Sequence, residues 1–435
     1  MWSPVEVIRV QAWGKDVGAV APGARGYVFE YDPAWLRTGL ELAPHLMPLP
    51  ARRGVTFTFP ELPFETFQGL PPMLADAVPD RFGNSLISAA LAREGVSRSE
   101  VTPLDRMAYL GSRTMGALTF HPDRSAKHEA TAIELKEVVE AARRAVQGEL
   151  GTADARTVAV NQLISVGTSA GGARAKAVLA WNRATGEIGA GNLAPRPGFE
   201  EWLLKFDGLG EDLQLGEGRE YGRTEYAYYL MARSAGVEMA DSELLEEGGR
   251  AHFITRRFDR PGTDGRRLHL QSLCALEGLD FNVVDTNEYA SYLLTVSKLT
   301  PASLQEAFRR MVFNILASNN DDHTKNFAFL MDEQGQWSLA PAYDLTFAYN
   351  AKSQWTRRHL MGVQGNFEIP TQRELFALAD RFQVPAAKEV IEQVAESVRN
   401  WSRFAADAKL STERTAEIEA RLREVHEASI PGATW

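Results

Sequence analysis

One cysteine, Cys274, stands in the whole chain, so an intramolecular disulfide is impossible and a zinc site built mainly from cysteines is excluded. Long apolar runs are missing too: no stretch of about 18 apolar residues occurs, which excludes an ordinary membrane-spanning helix. The opening, Met1-Trp2-Ser3-Pro4-Val5-Glu6, lacks a basic region followed by an apolar one, and the cytoplasm is the expected location. Basic charge is scarce. A net charge of −10 argues against a surface that grips nucleic acid over a wide area, because neutralising phosphates needs a concentrated excess of Lys and Arg. Any DNA contact is therefore expected to run through a partner. At 435 residues, 44% hydrophobic and 24% charged, the composition is that of a soluble globular protein with two or three packed units.

Residues 5 to about 70 read as strands and turns: Val5 to Trp13 largely alternates, Gly14-Lys15-Asp16 turns, and Gly26 to Tyr31 is strand-like again. From Pro71 the pattern becomes helical, interrupted by Pro79-Asp80-Arg81-Phe82-Gly83, a kink or a turn between two helices. Ala117 to Phe120 is a short strand, Pro122-Asp123-Arg124-Ser125 a linker, and Ile133 to Leu150 a charged amphipathic helix.

Ser165 to Lys176 holds three glycines and three small hydroxyl residues, a composition that lets backbone amides approach an anion closely. It is not a Walker A sequence, and a plain connecting loop is the alternative. A hairpin from Trp181 to Ile188 follows. Next comes the apolar run Glu200 to Asp207 with a lone lysine, Lys205. A lysine facing inward from a core strand needs an anionic partner, for which Glu225 in the following helix is the candidate. An exposed strand-end lysine and a surface glutamate are the other reading. Ala251 to Arg260 is a further strand whose end is a hinge, broken by Pro261-Gly262. Beyond it the chain is mainly helical, over 300 to 317, 371 to 381, 384 to 407 and 411 to 429.

Within that helical half lies Asn319-Asn320-Asp321-Asp322-His323-Thr324-Lys325-Asn326, followed by Tyr343-Asp344-Leu345. The amphipathic run Leu304, Ala307, Phe308, Met311, Ile315 leads into it, and Phe327, Phe329 and Leu330 lead out as a strand. Asp321 and Asn326 have the spacing of the catalytic-loop Asp and the metal-holding Asn of protein kinases, with Asp344 as a second metal ligand. One carboxylate acting as base beside two oxygen ligands for Mg²⁺ suits phosphoryl transfer, which needs an oriented hydroxyl and a clamp on phosphate charge. A solvated acidic loop is the alternative. A zinc or iron site at Asp321, Asp322 and His323 lacks a second histidine at suitable spacing. Arg357-Arg358-His359 reads either as a receptor for an acidic or phosphorylated segment or as a solvated turn.

Over most of its length the chain resembles the HipA-like serine/threonine kinases, the toxins of bacterial toxin-antitoxin pairs. The likeness rests on residues 74 to 83, Gly-Gly-Ala-Arg-Ala-Lys (171 to 176), Leu-Leu-Lys (203 to 205), Thr-Glu-Tyr (224 to 226) and Arg-Phe-Asp-Arg (257 to 260). It is most specific at Asn-Asp-Asp-His-Thr-Lys-Asn (320 to 326) and Ala-Pro-Ala-Tyr-Asp-Leu (340 to 345). The resemblance implies an α+β, bilobal protein-kinase-like fold: a small β-rich subdomain (1 to 125), a β-rich lobe (126 to 260) and a mainly helical lobe (261 to 435). It implies Asp321 as general base, Asn326 and Asp344 as Mg²⁺ ligands, and Lys205, paired with Glu225, as the ATP-phosphate contact. Arg256 and Phe258 would meet adenine, and Gly171, Gly172, His323 and Lys325 would complete the nucleotide site.

Ser169 matches the family's autophosphorylated serine, with Thr168 and Ser165 as alternatives. Phosphorylation there adds roughly −1.5 to −2 charges, which cannot share a small loop with the γ-phosphate and would eject it. The acidic pair that the family carries before the Cys274 position is replaced by Gln271-Ser272. An aminoacyl-tRNA synthetase target and a small helix-turn-helix antitoxin that binds DNA are further expectations from the family. A small-molecule kinase and a catalytically idle antitoxin-binding co-regulator are the rival readings.

Overall fold

In the computed structural model, the described residues are 2–79, 81–93, 95–124, Val139, Ala142, 175–191, 196–207, 220–431 and Trp435. They divide into two compact units: Met1–Gly210 with Ile254–Asp280 and Leu330–Trp337, and Glu211–Phe253 with Phe281–Phe329 and Ser338–Trp435.

The first unit opens with strands β1 (Ile8–Ala12), β2 (Lys15–Gly23), β3 (Gly26–Tyr31), β4 (Thr56–Phe57) and β5 (Leu118–His121), an antiparallel sheet in the order β4-β3-β2-β1-β5. In β1, Ile8, Val10 and Ala12 are buried while Arg9 faces out, the period-2 pattern that fixes which face meets the core. Helix α1 (Arg81–Arg93) and helix α2 (Pro103–Leu110) separate β4 from β5. A capping box starts α2: Thr102 Oγ1 accepts from the Asp105 amide, and Asp105 Oδ2 accepts from the Thr102 amide at 2.9 Å. Asp105 Oδ1 also takes the Val5 amide at 2.9 Å, so one buried carboxylate starts the helix and anchors the N-terminal strand region.

The same unit holds β6 (Lys176–Asn182), β7 (Glu187–Ala190) and β8 (Glu200–Lys205), in the order β7-β6-β8. The hairpin is closed by Asn182, whose Oδ1 accepts from the Ala184 and Thr185 amides, and by Gly186 at φ +75°. The neighbour of β8 in the sheet is β9 (Arg250–Arg256), which belongs to the first unit from Ile254 onward. Just past it lies a buried charge cluster. Arg257 donates to both oxygens of Asp259 at 3.0 and 2.7 Å, and Arg260 to Asp259 Oδ2 at 2.7 Å. Arg257 also meets Glu201 at 2.7 Å, and the Gly116 amide donates to Asp259 at 2.7 Å. Arg257, Arg260 and Arg267 all donate to the Thr114 carbonyl, which ties the approach to β5 to the segment after Arg256.

The second unit is mainly helical: α3 (Tyr221–Ser234), α4 (Tyr289–Val296), α5 (Pro301–Leu316), α6 (Gln372–Phe382), α7 (Ala387–Arg399), α8 (Trp401–Asp407) and α9 (Thr412–Ser429). Helix α5 buries Leu304, Ala307, Phe308, Met311 and Ile315, a stripe at helical spacing. Tyr228 of α3 sits edge-on to Phe313 at 6.2 Å and to Trp401 at 5.5 Å, the aromatic centre of this core. The segment expected as one helix over 384 to 407 is two: Ala386 takes a left-handed conformation before α7, and Asn400 separates α7 from α8. No helix among the described residues is long and apolar enough to cross a membrane.

Candidate active site

Helix α5 ends at Ala317, whose carbonyl accepts from the Tyr228 hydroxyl at 2.6 Å. Ser318 then adopts φ +50°, a left-handed turn that sends the chain out of the helix. Asn319 pairs with Ala348 in a parallel bridge, and the Ala348 amide donates to the Ser318 carbonyl at 3.1 Å. From there the loop alternates. Asn320 and Asp322 are buried, whereas Asp321 and His323 are partly exposed. Adjacent side chains on an extended backbone point to opposite sides, so Asp321 and Asp322 cannot share a function at one face.

A 3-10 turn, Thr324–Asn326, closes the loop, with the Asn326 amide donating to the His323 carbonyl at 2.9 Å. Asn326 Nδ2 donates to the backbone carbonyl of Asp321 at 2.8 Å, so the two residues are held together across the turn. The Tyr343 hydroxyl donates to the Lys325 carbonyl at 2.6 Å, which lays the segment carrying Asp344 against the same turn. Asp344 itself has φ +58°, a conformation that costs a non-glycine residue energy and recurs at functional positions.

These residues fit a hard cation. Because Nδ2 of Asn326 is committed to a carbonyl, its Oδ1 is the atom turned away from that bond, and an oxygen is what Mg²⁺ takes. Mg²⁺ bound with nucleotide typically uses one or two protein oxygens, with phosphates and water completing the shell, so Asn326 and Asp344 make a sufficient protein share. His323 Nδ1 is buried without a hydrogen-bond partner among the described residues, a polar atom suited to a ligand. The Lys325 ammonium lies 4.6 Å from the Phe281 ring centre, and the His323 ring lies 5.4 Å from it, so one aromatic ring braces both residues.

The remaining sequence candidates divide between the units. In the first, Lys205 is buried at the end of β8 and stands opposite Lys176, also buried, in the β6–β8 register. Arg256 reaches Glu200 at 3.4 Å, and Phe258 is half-buried between Arg257 and Asp259. In the second, Glu225 is buried within α3. Ser165, Thr168, Ser169, Gly171 and Gly172 lie outside the described residues. Ser272, at the position of the altered acidic pair, caps the helix Leu273–Glu277 and donates to Asp76 at 2.7 Å through its hydroxyl and 2.6 Å through its amide.

Sequence reasoning missed the partners of Asp322. Its Oδ2 accepts from the Tyr289 hydroxyl at 2.6 Å and from His359 Nδ1 at 2.9 Å; its Oδ1 accepts from the Leu360 and Met361 amides at 2.7 and 3.3 Å. Arg357-Arg358-His359 is accordingly not a uniformly solvated turn. Arg357 is exposed, Arg358 pairs with Asp285, and His359 is buried against Asp322. The available signal was the doubled aspartate, since one of two neighbours on an extended loop must face inward.

A family model described as the HipA-like C-terminal domain matches residues 168–402, more than half of the chain, and one described as the HipA N-terminal domain matches residues 8–121. The chain belongs to the HipA family. A solved Shewanella oneidensis HipA, in complex with HipB and its operator DNA, superposes on this HipA-family chain with a TM-score of 0.67 at 16% identity, covering 97% of this chain and 96% of that one. The α+β architecture, a strand-rich first unit and a mainly helical second, is thus the bilobal kinase-like fold of HipA. Two Sinorhizobium fredii proteins with kinase names are also similar. Y4mE is 32% identical over 146 residues (29% of this chain, 34% of the relative), and Y4dM 25% identical over 191 residues (39% and 46%). The matched part therefore spans less than half of either relative.

Proposed function

We propose that this HipA-family protein is a Mg·ATP-dependent kinase that phosphorylates serine or threonine hydroxyls of proteins, including its own Ser169. The observation that carries the reading is the bond from Asn326 to the Asp321 carbonyl, together with the Tyr343 tie to Lys325, which places the Asp321, Asn326 and Asp344 segments on one turn. When bound, Mg·ATP supplies the γ-phosphoryl group and the cation that neutralises its charge. Asn326 and Asp344 would hold the cation. Asp321 accepts the proton of the incoming hydroxyl, positioned by a backbone that Asn326 fixes. Lys205, buried on its strand and so in need of an anionic partner, contacts the phosphates. Backbone groups of Arg256 and Phe258 meet adenine, and phosphorylation of Ser169, or of Thr168 or Ser165, would set its charge against that of the nucleotide phosphates.

The partners follow from the family. We propose a small helix-turn-helix antitoxin that carries any contact with DNA, and a target of the aminoacyl-tRNA synthetase class; the Shewanella relative was solved with HipB and operator DNA. The test is incubation of the purified protein with labelled ATP and Mg²⁺, followed by peptide mapping. Label on Ser169, or on Thr168 or Ser165, is expected, with a loss of about 10³-fold or more in Asp321→Asn. Unchanged label in that variant, or label confined to other peptides, defeats the reading.

A further inference from the structure

The proposed base has a neighbour on each side that faces the other way, and both neighbours reach the same distant segment. Asn320 Nδ2 donates to the Thr356 carbonyl at 3.1 Å, while Asp322 takes the Leu360 and Met361 amides and the His359 ring. The segment Thr356–Met361 is thereby stapled to the loop at both ends. Behind the staple a second layer is closed by side chains. Tyr289 donates to Asp322, Asn314 Nδ2 donates to the Tyr289 hydroxyl at 3.0 Å, and Asn319 Nδ2 donates to Asn314 Oδ1 at 3.0 Å. Every member is buried. Asp322 is met by donors at both oxygens, which suits an acceptor-only carboxylate, and this requires the His359 proton to sit on Nδ1.

We propose that Asn320 and Asp322 are positioning residues that clamp the catalytic loop onto Thr356–Met361, with His359 setting the geometry of the clamp. The proposal rests on the kinase reading for its effect on turnover, though not for the clamp itself. Its physical logic is that a base must be held in register with the incoming hydroxyl, and partly exposed Asp321 is flanked on both sides by buried, hydrogen-bonded residues. Buried hydrogen bonds from residues one position away hold the backbone of Asp321 directly. Asp321 can then be placed within the fraction of an ångström that proton transfer demands. The same network ties the loop to the short parallel pair Asn287–Glu288 and Met361–Gly362, since Met361 serves both.

Three variants decide it. Asp322→Asn keeps the size but offers an amide hydrogen to donors that need an acceptor. Kcat is expected to fall about 10²-fold, the cost of a misplacement near 1 Å, while KM for ATP moves less than about twofold. His359→Leu is expected to repeat the loss and His359→Asn, whose Nδ2 falls near the imidazole Nδ1, to restore much of it, an outcome that packing alone does not give. The readout independent of activity is amide hydrogen exchange in nucleotide-free protein: Leu360 and Met361 should exchange at least about tenfold faster in Asp322→Asn and stay at the wild-type rate in Asp321→Asn. Wild-type exchange at these amides in Asp322→Asn, or wild-type kcat there, overturns the clamp. Should Asp322→Asn not fold, the two His359 variants carry the same decision, with equal loss in both counting against it. If wild-type protein transfers no phosphate to any acceptor, the kinase reading fails while the exchange arm still judges the clamp.

Discussion

Asp259 in the first unit and Asp322 in the second are both fully buried aspartates that accept four short contacts, yet they are buried by different means. Burial by itself would raise the Asp259 carboxyl; the guanidinium charges of Arg257 and Arg260 overcome that and hold it well below the usual carboxylate range. Asp322 is met by a phenol, two backbone amides and an imidazole N–H. Burial and the Asp322 charge push the Tyr289 phenol well above its ordinary value, so it remains a donor. A charge held by charges makes scaffold: the Asp259 group fastens Thr114 and Gly116 to the strand end that precedes Phe258. A charge held by neutral dipoles is fixed by geometry instead, each donor having to keep its place in the loop and in Leu360–Met361.

The difference has a large expected consequence for stability. Asp259→Ala leaves Glu201 as the carboxylate shared by two buried guanidinium groups, and breaking a buried pair from one side costs about 3–5 kcal/mol. Asp322→Asn leaves hydrogen-bond donors unsatisfied but no excess charge, at about 1–3 kcal/mol. Urea midpoints of the two variants should therefore differ clearly. Equal midpoints would mean that charge compensation is not what separates the sites.

Acid is the second way to press on the contrast, because it titrates groups that neither aspartate needs. His269 in the first unit and His252 in the second are buried, and burial pushes each imidazole down to about 4 from an ordinary value near 6.5. In the unfolded chain each takes a proton near pH 6.5; in the fold it resists until about pH 4. Stability is thus retained above pH 6.5 and falls as pH drops through that window, by on the order of 3 kcal/mol for His269. The Asp259 contribution remains until lower pH, being present above the unfolded carboxylate value near 4 and lost below it. Replacing His269 with Gln should keep a donor for the Leu42 carbonyl, met at 2.9 Å, and flatten the melting-temperature curve between pH 6.5 and 4. A curve as steep as wild type places the acid sensitivity elsewhere.

What was legible in the sequence follows a simple division between local and distant causes. The stripe on α5 and the alternation of β1 are periodic, and a period of 3.6 or 2 needs no knowledge of what lies opposite. That Asp321 and Asn326 lie together was legible too, because one turn holds both ends of the pattern. The partners of Asp322 were not, since Tyr289 and His359 arrive from 33 and 37 positions away. A run of three basic-type residues gave no sign that His359 alone turns inward. The break between α7 and α8 was hidden for a related reason: Asn400 is polar in a polar-faced helix, and the left-handed Ala386 has no glycine to announce it.

The smallest effect comes from the third environment, a charge left in water. Lys388 and Glu392 on α7 meet at 3.8 Å with side chains 71% and 62% exposed. Their attraction acts through solvent, holding two long side chains in one geometry costs rotamer freedom, and salt screens what remains. The i,i+4 spacing recovers a little, so Lys388→Ala should cost no more than about 0.5 kcal/mol. Part of even that is masked because alanine is the better helix former. A double-mutant cycle with Glu392→Ala, run at low and high salt, measures the pair by itself. A coupling near that of Asp259 would show that exposure does not govern how much a charge contributes, and the contrast between the two buried aspartates would then need another cause.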